Sequence, residues 1–159
     1  MQSKNGSLGR LWGVGAVIGL SFIADRLLKA WALSLPVGEG FFIGNSIGLE
    51  LFQNTHAVFG LPRVPFLFEA LILFIGIFLA YAAFLAFRNN EPRIFFGLLL
   101  ILMGGASNML DRFQHGFVID FIYAGPAVFN LADAMIVAGF AVAVFQLFAT
   151  KERHYSNKN

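Results

Sequence analysis

The stretch Asn108-Met109-Leu110-Asp111-Arg112 is continued by Val118-Ile119-Asp120-Phe121 and by Phe129-Asn130-Leu131-Ala132-Asp133. It gathers three carboxylates, two carboxamides and an arginine in a chain that is otherwise mostly hydrocarbon. Polar groups at membrane depth are costly unless partnered, so such a concentration marks a functional site. The remaining sequence reads as a way of holding these groups at a membrane surface, with Asp120 and Asp133 as the two candidates for catalysis.

Composition supports that reading. Hydrophobic residues make up 58% of the 159 residues and charged residues only 13%, and the mean hydropathy is +0.73. A soluble domain has about 45–50% apolar and about 25% charged residues. The expected class is an integral membrane protein, mostly α-helical with a small β element. At about 20 residues per helical span the chain has room for four spans in a single domain. The net charge of +2 is small, and the basic residues gather at the termini and in short connections. That is the pattern of membrane orientation, and no nucleic-acid partner is expected.

The chain has no cysteine, which removes disulfides, thiolate nucleophiles and cysteine-ligated metals. His56, His115 and His154 are too scattered for a metal site, and neither a His-Glu-x-x-His nor a Gly-x-Ser-x-Gly run occurs. No metal and no cofactor are expected.

Read in order, an apolar run from Leu11 extends to about Leu35 and forms the first span, with Asp25 and Lys29 on one helix face at i and i+4. The expectation for this pair is a structural ion pair facing the bundle. Residues 37–62 change character: Gly38, Gly40, Gly44 and Gly48 punctuate short runs with period-2 alternation, which predicts an extramembrane hairpin or half-sheet. Pro65 opens a second span to about Phe87, and Glu69 near its entry favours the helix N-terminus. A third span runs over 94–112 and a fourth over 129–150. Gly104, Gly105, Ala106 and Ser107 allow close helix approach in the third. Asn130 and Asp133, at i and i+3, fall in the first turn of the fourth, where the helix N-terminus favours an ionised carboxylate.

Lys4, Arg10, Arg88, Arg93, Lys151, Arg153 and Lys158 lie on one side of this arrangement, so both termini are expected in the cytoplasm. The 37–62 segment and the polar stretch from Asn108 to Asp133 then converge on the outer face. Two carboxylates sharing a small site cannot both ionise cheaply, so they hold one proton between them. The ionised member can take a proton from water while the protonated member polarises a carbonyl. A proton pathway and a set of buried structural pairs are the alternatives that the residues themselves leave open.

The blocks Asp25-x-x-x-Lys29, Asn54-Thr55-x-Ala57-x-Phe59, Asn108-x-x-Asp111-Arg112, Val118-x-Asp120-Phe121 and Phe129-Asn130-x-Ala132-Asp133, in this order, resemble the lipoprotein signal peptidase family, or signal peptidase II. The resemblance spans nearly the whole chain. It implies four transmembrane helices with a β-cradle on the outer face of a bacterial cytoplasmic membrane. It further implies removal of the signal peptide from prolipoproteins by cleavage before a diacylglyceryl-modified cysteine. The dyad then maps onto Asp120 and Asp133. Asn54, Asn108, Arg112 and Asn130 match substrate-binding positions, and Asp25, Lys29 and Asp111 match supporting polar ones. Prolipoprotein and membrane lipids are the implied partners of a monomer. Three features depart from the family pattern: His56 and Ser107 stand where glycine is usual, and only the 12 residues 121–132 separate the two dyad aspartates. These departures leave a second reading, a protein of the same fold that binds lipidated peptides or signal peptides without cutting them.

Overall fold

The computed structural model describes residues 4–36, 38–44, 46–55 and 67–156, with side chains described from Trp12 onward apart from 147 and 150–156. His56, Pro62, Arg63 and Pro65 lie outside the described residues. Eight elements follow in order: α1 (Lys4–Ala32), β1 (Gly40–Ile43), β2 (Ile47–Asn54), α2 (Leu67–Arg88), α3 (Pro92–His115), β3 (Val118–Ala124), β4 (Ala127–Phe129) and α4 (Leu131–Ser156). The protein is mostly helical with one antiparallel four-stranded sheet in the order β1-β2-β3-β4.

The helices follow the expected order and the half-sheet falls within the expected 37–62 segment, but the sheet is larger than its sequence suggests. Residues 118–129, in the sequence a short segment leading into the fourth span, supply two further strands. β3 pairs with β2 over Asn54↔Val118 to Ile47↔Ala124, and β4 returns beside it through the turn at Gly125 and Pro126. Gly125 has a φ of 62°, which a two-residue hairpin of this kind requires at its first central position. The 12 residues between the two aspartates are therefore a hairpin followed by a helix start.

α3 is the central helix, packed against each of the other three. Pro92 occupies its first turn, where a missing N–H does no harm. Its far end runs beyond the expected Arg112 to His115, and Gly116 closes it at φ 81° with its N–H on the Arg112 carbonyl at 3.0 Å. That left-handed residue turns the chain directly into β3, beneath which Ala32, Ile119 and Phe121 form a small buried core.

The distribution of polarity is the reverse of a soluble bundle. Phe74, Phe78, Phe140, Phe145 and Leu20 are exposed on the helix exteriors, while Asp25, Lys29, Ser107 and Asp111 are fully buried between α1 and α3. A protein in water would not leave so much contiguous hydrocarbon uncovered. Among the described residues, α2 and α3 are long and apolar enough to cross a membrane, and α4 contains a shorter apolar stretch over Leu131–Gln146.

α3 and α4 approach closely because glycines lie between them. A Cβ on Gly104 would meet the Ala132 carbonyl oxygen at 2.4 Å, and one on Gly139 would meet the Gly97 carbonyl oxygen at 2.4 Å. Backbone cannot yield as a flexible side chain does, so these contacts fix the height of α4 against α3. Gly104→Ala is expected to destabilise the protein by about 1–3 kcal/mol through overpacking, whereas Gly105→Ala, whose Cβ meets nothing within 4 Å, melts near the parent protein. Thermal unfolding of the two variants in detergent micelles checks this contrast.

Candidate active site

The first turn of α4 carries one of the two candidate carboxylates, and its local sequence explains how. Asn130 is the residue before Leu131, the first helical position. Its Oδ1 accepts the Asp133 N–H at 2.9 Å, while its own N–H donates to Asp133 Oδ2 at 3.3 Å. This is a reciprocal capping box with aspartate in place of the usual glutamate. The spacing Asn130-x-x-Asp133 thus both starts the helix and fixes the carboxylate.

Asp120 arrives from β3. Its Cα partner on β2 is Phe52, and the ladder slips by one residue between Leu49 and Phe52. Were the Leu49↔Ile122 register continued without that bulge, Gln53 would face Val118. The extra residue puts Asn54 there instead, diagonal to Asp120 and within reach of it. Asn54 Nδ2 donates to Asp120 Oδ2 at 2.9 Å.

Two carboxamides join the carboxylates. Asn130 Nδ2 donates to Asp120 Oδ1 at 2.6 Å and to Asn108 Oδ1 at 3.1 Å. Asn108 Nδ2 donates to Asp133 Oδ1 at 2.7 Å. Asp120 and Asp133 therefore sit at the two ends of one hydrogen-bonded chain through Asn130 and Asn108, on residues from β3, α3 and α4.

Beneath this chain lies a platform of charges. Lys29 Nζ donates to Asn108 Oδ1 at 2.8 Å and pairs with Asp111 Oδ2 at 2.7 Å and Asp25 Oδ2 at 3.1 Å. Asp111 also pairs with Arg26 and accepts the Ile119 N–H at 3.3 Å, tying α1 and α3 to the start of β3. Asp25 Oδ1 accepts the Ala132 N–H at 2.9 Å, a second cap on α4 supplied from α1. Two cations stand against two carboxylates, so the platform is neutral by itself. It has little charge to spare for a second pair of anions above it.

Asp120 accordingly responds to its setting. Burial pushes its carboxyl up from the ordinary 3.8 to about 6, with the charge of Asp133 adding to the rise. The hydrogen bonds from Asn54 and Asn130 and the charge of Lys29 oppose it. The folded protein therefore keeps a proton on Asp120 that the unfolded chain releases. The associated stability is complete below about pH 3.8 and is lost as the pH rises through about 6.

The nine polar residues expected at the site all lie among the described residues. Asp120, Asp133, Asn54, Asn108 and Asn130 come together directly, and Asp25, Lys29 and Asp111 support them from below. Arg112 lies over the Phe68 ring of α2, with its guanidinium carbon 5.2 Å from the ring centre. Sequence reasoning missed Arg26 and Ser107 as members of the platform. Their signal was available, because Ser107 and Asp111 lie at i and i+4 on one face of α3.

Fold and site together define an apolar helical membrane protein with a buried centre of carboxylates and carboxamides. The sequence model of the family described as signal peptidase (SPase) II matches residues 17–149. The lipoprotein signal peptidase of Syntrophomonas wolfei is 34% identical over 155 residues, covering 93% of this chain and 99% of that protein. That of Clostridium tetani is 29% identical over 151 residues, covering 89% and 95%. A bacterial membrane enzyme solved by the in meso method at 2.3 Å superposes with a TM-score of 0.74 at 20% identity over 92% of each chain. The chain belongs to the signal peptidase II family.

Because the Asn54 amide stabilises the ionised form of Asp120, Asn54→Leu is expected to move the Asp120 titration to higher pH, above about 6. Infrared difference spectra of the protonated carboxyl across pH 4–9, with Asp120→Asn identifying the band, check the direction of this shift.

Proposed function

We propose that this protein removes the signal peptide from prolipoproteins as an aspartic endopeptidase, with Asp120 and Asp133 as the catalytic dyad. Membership of the signal peptidase II family makes it a peptidase. The observation that carries the finer reading is the carboxamide chain that ties Asp120 to Asp133 through Asn130 and Asn108.

The two acids differ in a way that supports separate roles. Both oxygens of each acid accept N–H donors, but one of the donors to Asp133 is the backbone of its own helix start, and Asp133 is half-buried where Asp120 is fully buried. Asp120 lies in the drier position, on a strand, and burial raises its carboxyl to about 6, which suits it to carry the shared proton. Asp133 then takes a proton from a water molecule, which attacks the scissile carbonyl, while the Asp120 carboxyl donates to the carbonyl oxygen. As the tetrahedral intermediate collapses, Asp133 passes its proton to the leaving amine and Asp120 takes a proton back from the intermediate's hydroxyl, so the pair again holds one proton. Asn54, Asn108 and Asn130 hold the two acids and offer amides to the substrate backbone, and Arg112 orients the peptide from the α2 side.

The substrate in this reading carries a diacylglyceryl-modified cysteine, with cleavage just before it. The lipid keeps the scissile bond near the headgroup boundary, so the bilayer supplies much of the orientation that a soluble protease builds from loops. The same proposal has a single domain of four spans in the bacterial cytoplasmic membrane, both termini cytoplasmic and the dyad near the outer face. The apolar exteriors and the basic residues at the opposite end of the bundle support it.

Asp120→Asn and Asp133→Asn each substitute an isosteric group that cannot share the proton. Each is expected to lower cleavage of a purified diacylated prolipoprotein by about 10²–10⁴-fold while leaving the melting temperature near that of the parent. Ordinary processing by either variant would sink the proposal.

A further inference from the structure

Ser107 belongs to the platform but has no part in the proposed chemistry, and its hydroxyl is fully buried at the meeting point of three charged side chains. Its Oγ accepts from Arg26 Nη1 at 3.3 Å and Lys29 Nζ at 3.5 Å. With cations on its lone pairs, its hydrogen is directed to the remaining neighbour, and Oγ donates to Asp25 Oδ2 at 2.5 Å. That is the short, charge-assisted kind of hydrogen bond.

Asp25 is the link to the reacting end. Its Oδ2 is engaged by Ser107 and Lys29, which leaves Oδ1 directed at the Ala132 N–H, 2.9 Å away. Ala132 is the second residue of α4 and the neighbour of Asp133. Ala132 is itself fully buried, and its carbonyl is the group that Gly104 approaches, so the first turn of α4 is held by α1 at this N–H and by α3 at this carbonyl.

We infer that Ser107 is a positioning residue for the proposed cleavage: it orients the Asp25 carboxylate, which caps the first turn of α4 and so sets Asp133 against Asp120. This deepens the catalytic reading above and rests on it. Without the hydroxyl, Asp25 keeps only Lys29 on Oδ2, and its carboxylate is free to rotate away from Ala132. Asp133 then loses register with Asp120, although peptide binding elsewhere is untouched.

The test uses full-length protein in nanodiscs, comparing Ser107→Ala, Ser107→Cys and Ser107→Thr. Alanine deletes the donor, cysteine keeps the volume but is a weak donor, and threonine keeps the hydroxyl. For Ala and Cys, kcat on a diacylated prolipoprotein is expected to fall about tenfold with KM within about twofold, and Thr recovers most of the loss. Hydrogen exchange of the amides over 131–134 is read in parallel and is expected to quicken about tenfold in Ala and Cys but not in Thr. Unchanged exchange in Ala and Cys overturns the link from Ser107 to α4, and quickened exchange with unchanged kcat overturns its part in catalysis. Should Cys behave as the parent while Ala does not, volume is the cause and the proposal fails. If the parent protein cleaves no prolipoprotein, the catalytic reading fails, and Ser107 is no longer a positioning residue for it. The exchange arm then still decides whether Ser107 sets the first turn of α4.

Discussion

The structure depends on one buried ammonium group. Lys29 is fully enclosed, and a charge in such a place is tolerated only with close partners on every side. It has three protons to give and close acceptors on Asp25, Asn108 and Asp111, with the Ser107 hydroxyl a longer, shared fourth at 3.5 Å. Removing any one of these would leave a buried charge short of a partner, so α1 and α3 are held at a fixed separation and rotation. Replacing the whole cluster by packed hydrocarbon could yield an equally stable bundle. What the cluster adds is polarity with a direction.

That direction propagates upward. An ammonium only donates, so the Asn108 oxygen must face Lys29 and the Asn108 amide nitrogen must face away from it, toward Asp133. Asn108 Oδ1 also accepts from Asn130, whose oxygen is already committed to the Asp133 N–H, so the Asn130 nitrogen is left to serve Asp120. Each carboxamide could face either way in isolation. Together they have one consistent arrangement, and both aspartates receive donors.

Much of this was legible in the sequence, for identifiable reasons. Hydropathy marks the helices because lipid-facing surfaces must be hydrocarbon along their whole length. The pair Asp25 and Lys29 and the pair Asn130 and Asp133 are readable because helical spacing alone makes them neighbours. The strands β3 and β4 are not readable in that way. Phe117 to Tyr123 is an almost unbroken apolar run, without the alternation that distinguishes a strand from a buried helix. Its partner β2 lies more than sixty residues earlier, and local pattern is blind to such pairing. Asn54 stands out only through the family resemblance, since nothing local foretells the one-residue bulge that turns it toward Asp120. Ser107 sits in a run of small residues, where a hydroxyl is easily taken for a spacer.

The difference between the two aspartates follows from the elements that carry them. A helix begins with N–H groups that have no partner inside the helix, and Asp133 lies where these must be satisfied. It accepts from backbone because the helix start requires an acceptor there. Asp120 sits on β3 opposite Phe52 of β2, and β4 joins β3 only beyond it, over Ile122–Ala124. Among the described residues its carboxylate draws on the side chains of Asn54 and Asn130. Burial acts against its charge without the compensation that a helix terminus supplies. Two chemically identical residues thus stand in different settings, one at a helix start and one buried on a strand. An asymmetry built into the backbone survives side-chain motion, and under the proposed mechanism it keeps the shared proton on the same member at the start of every cycle.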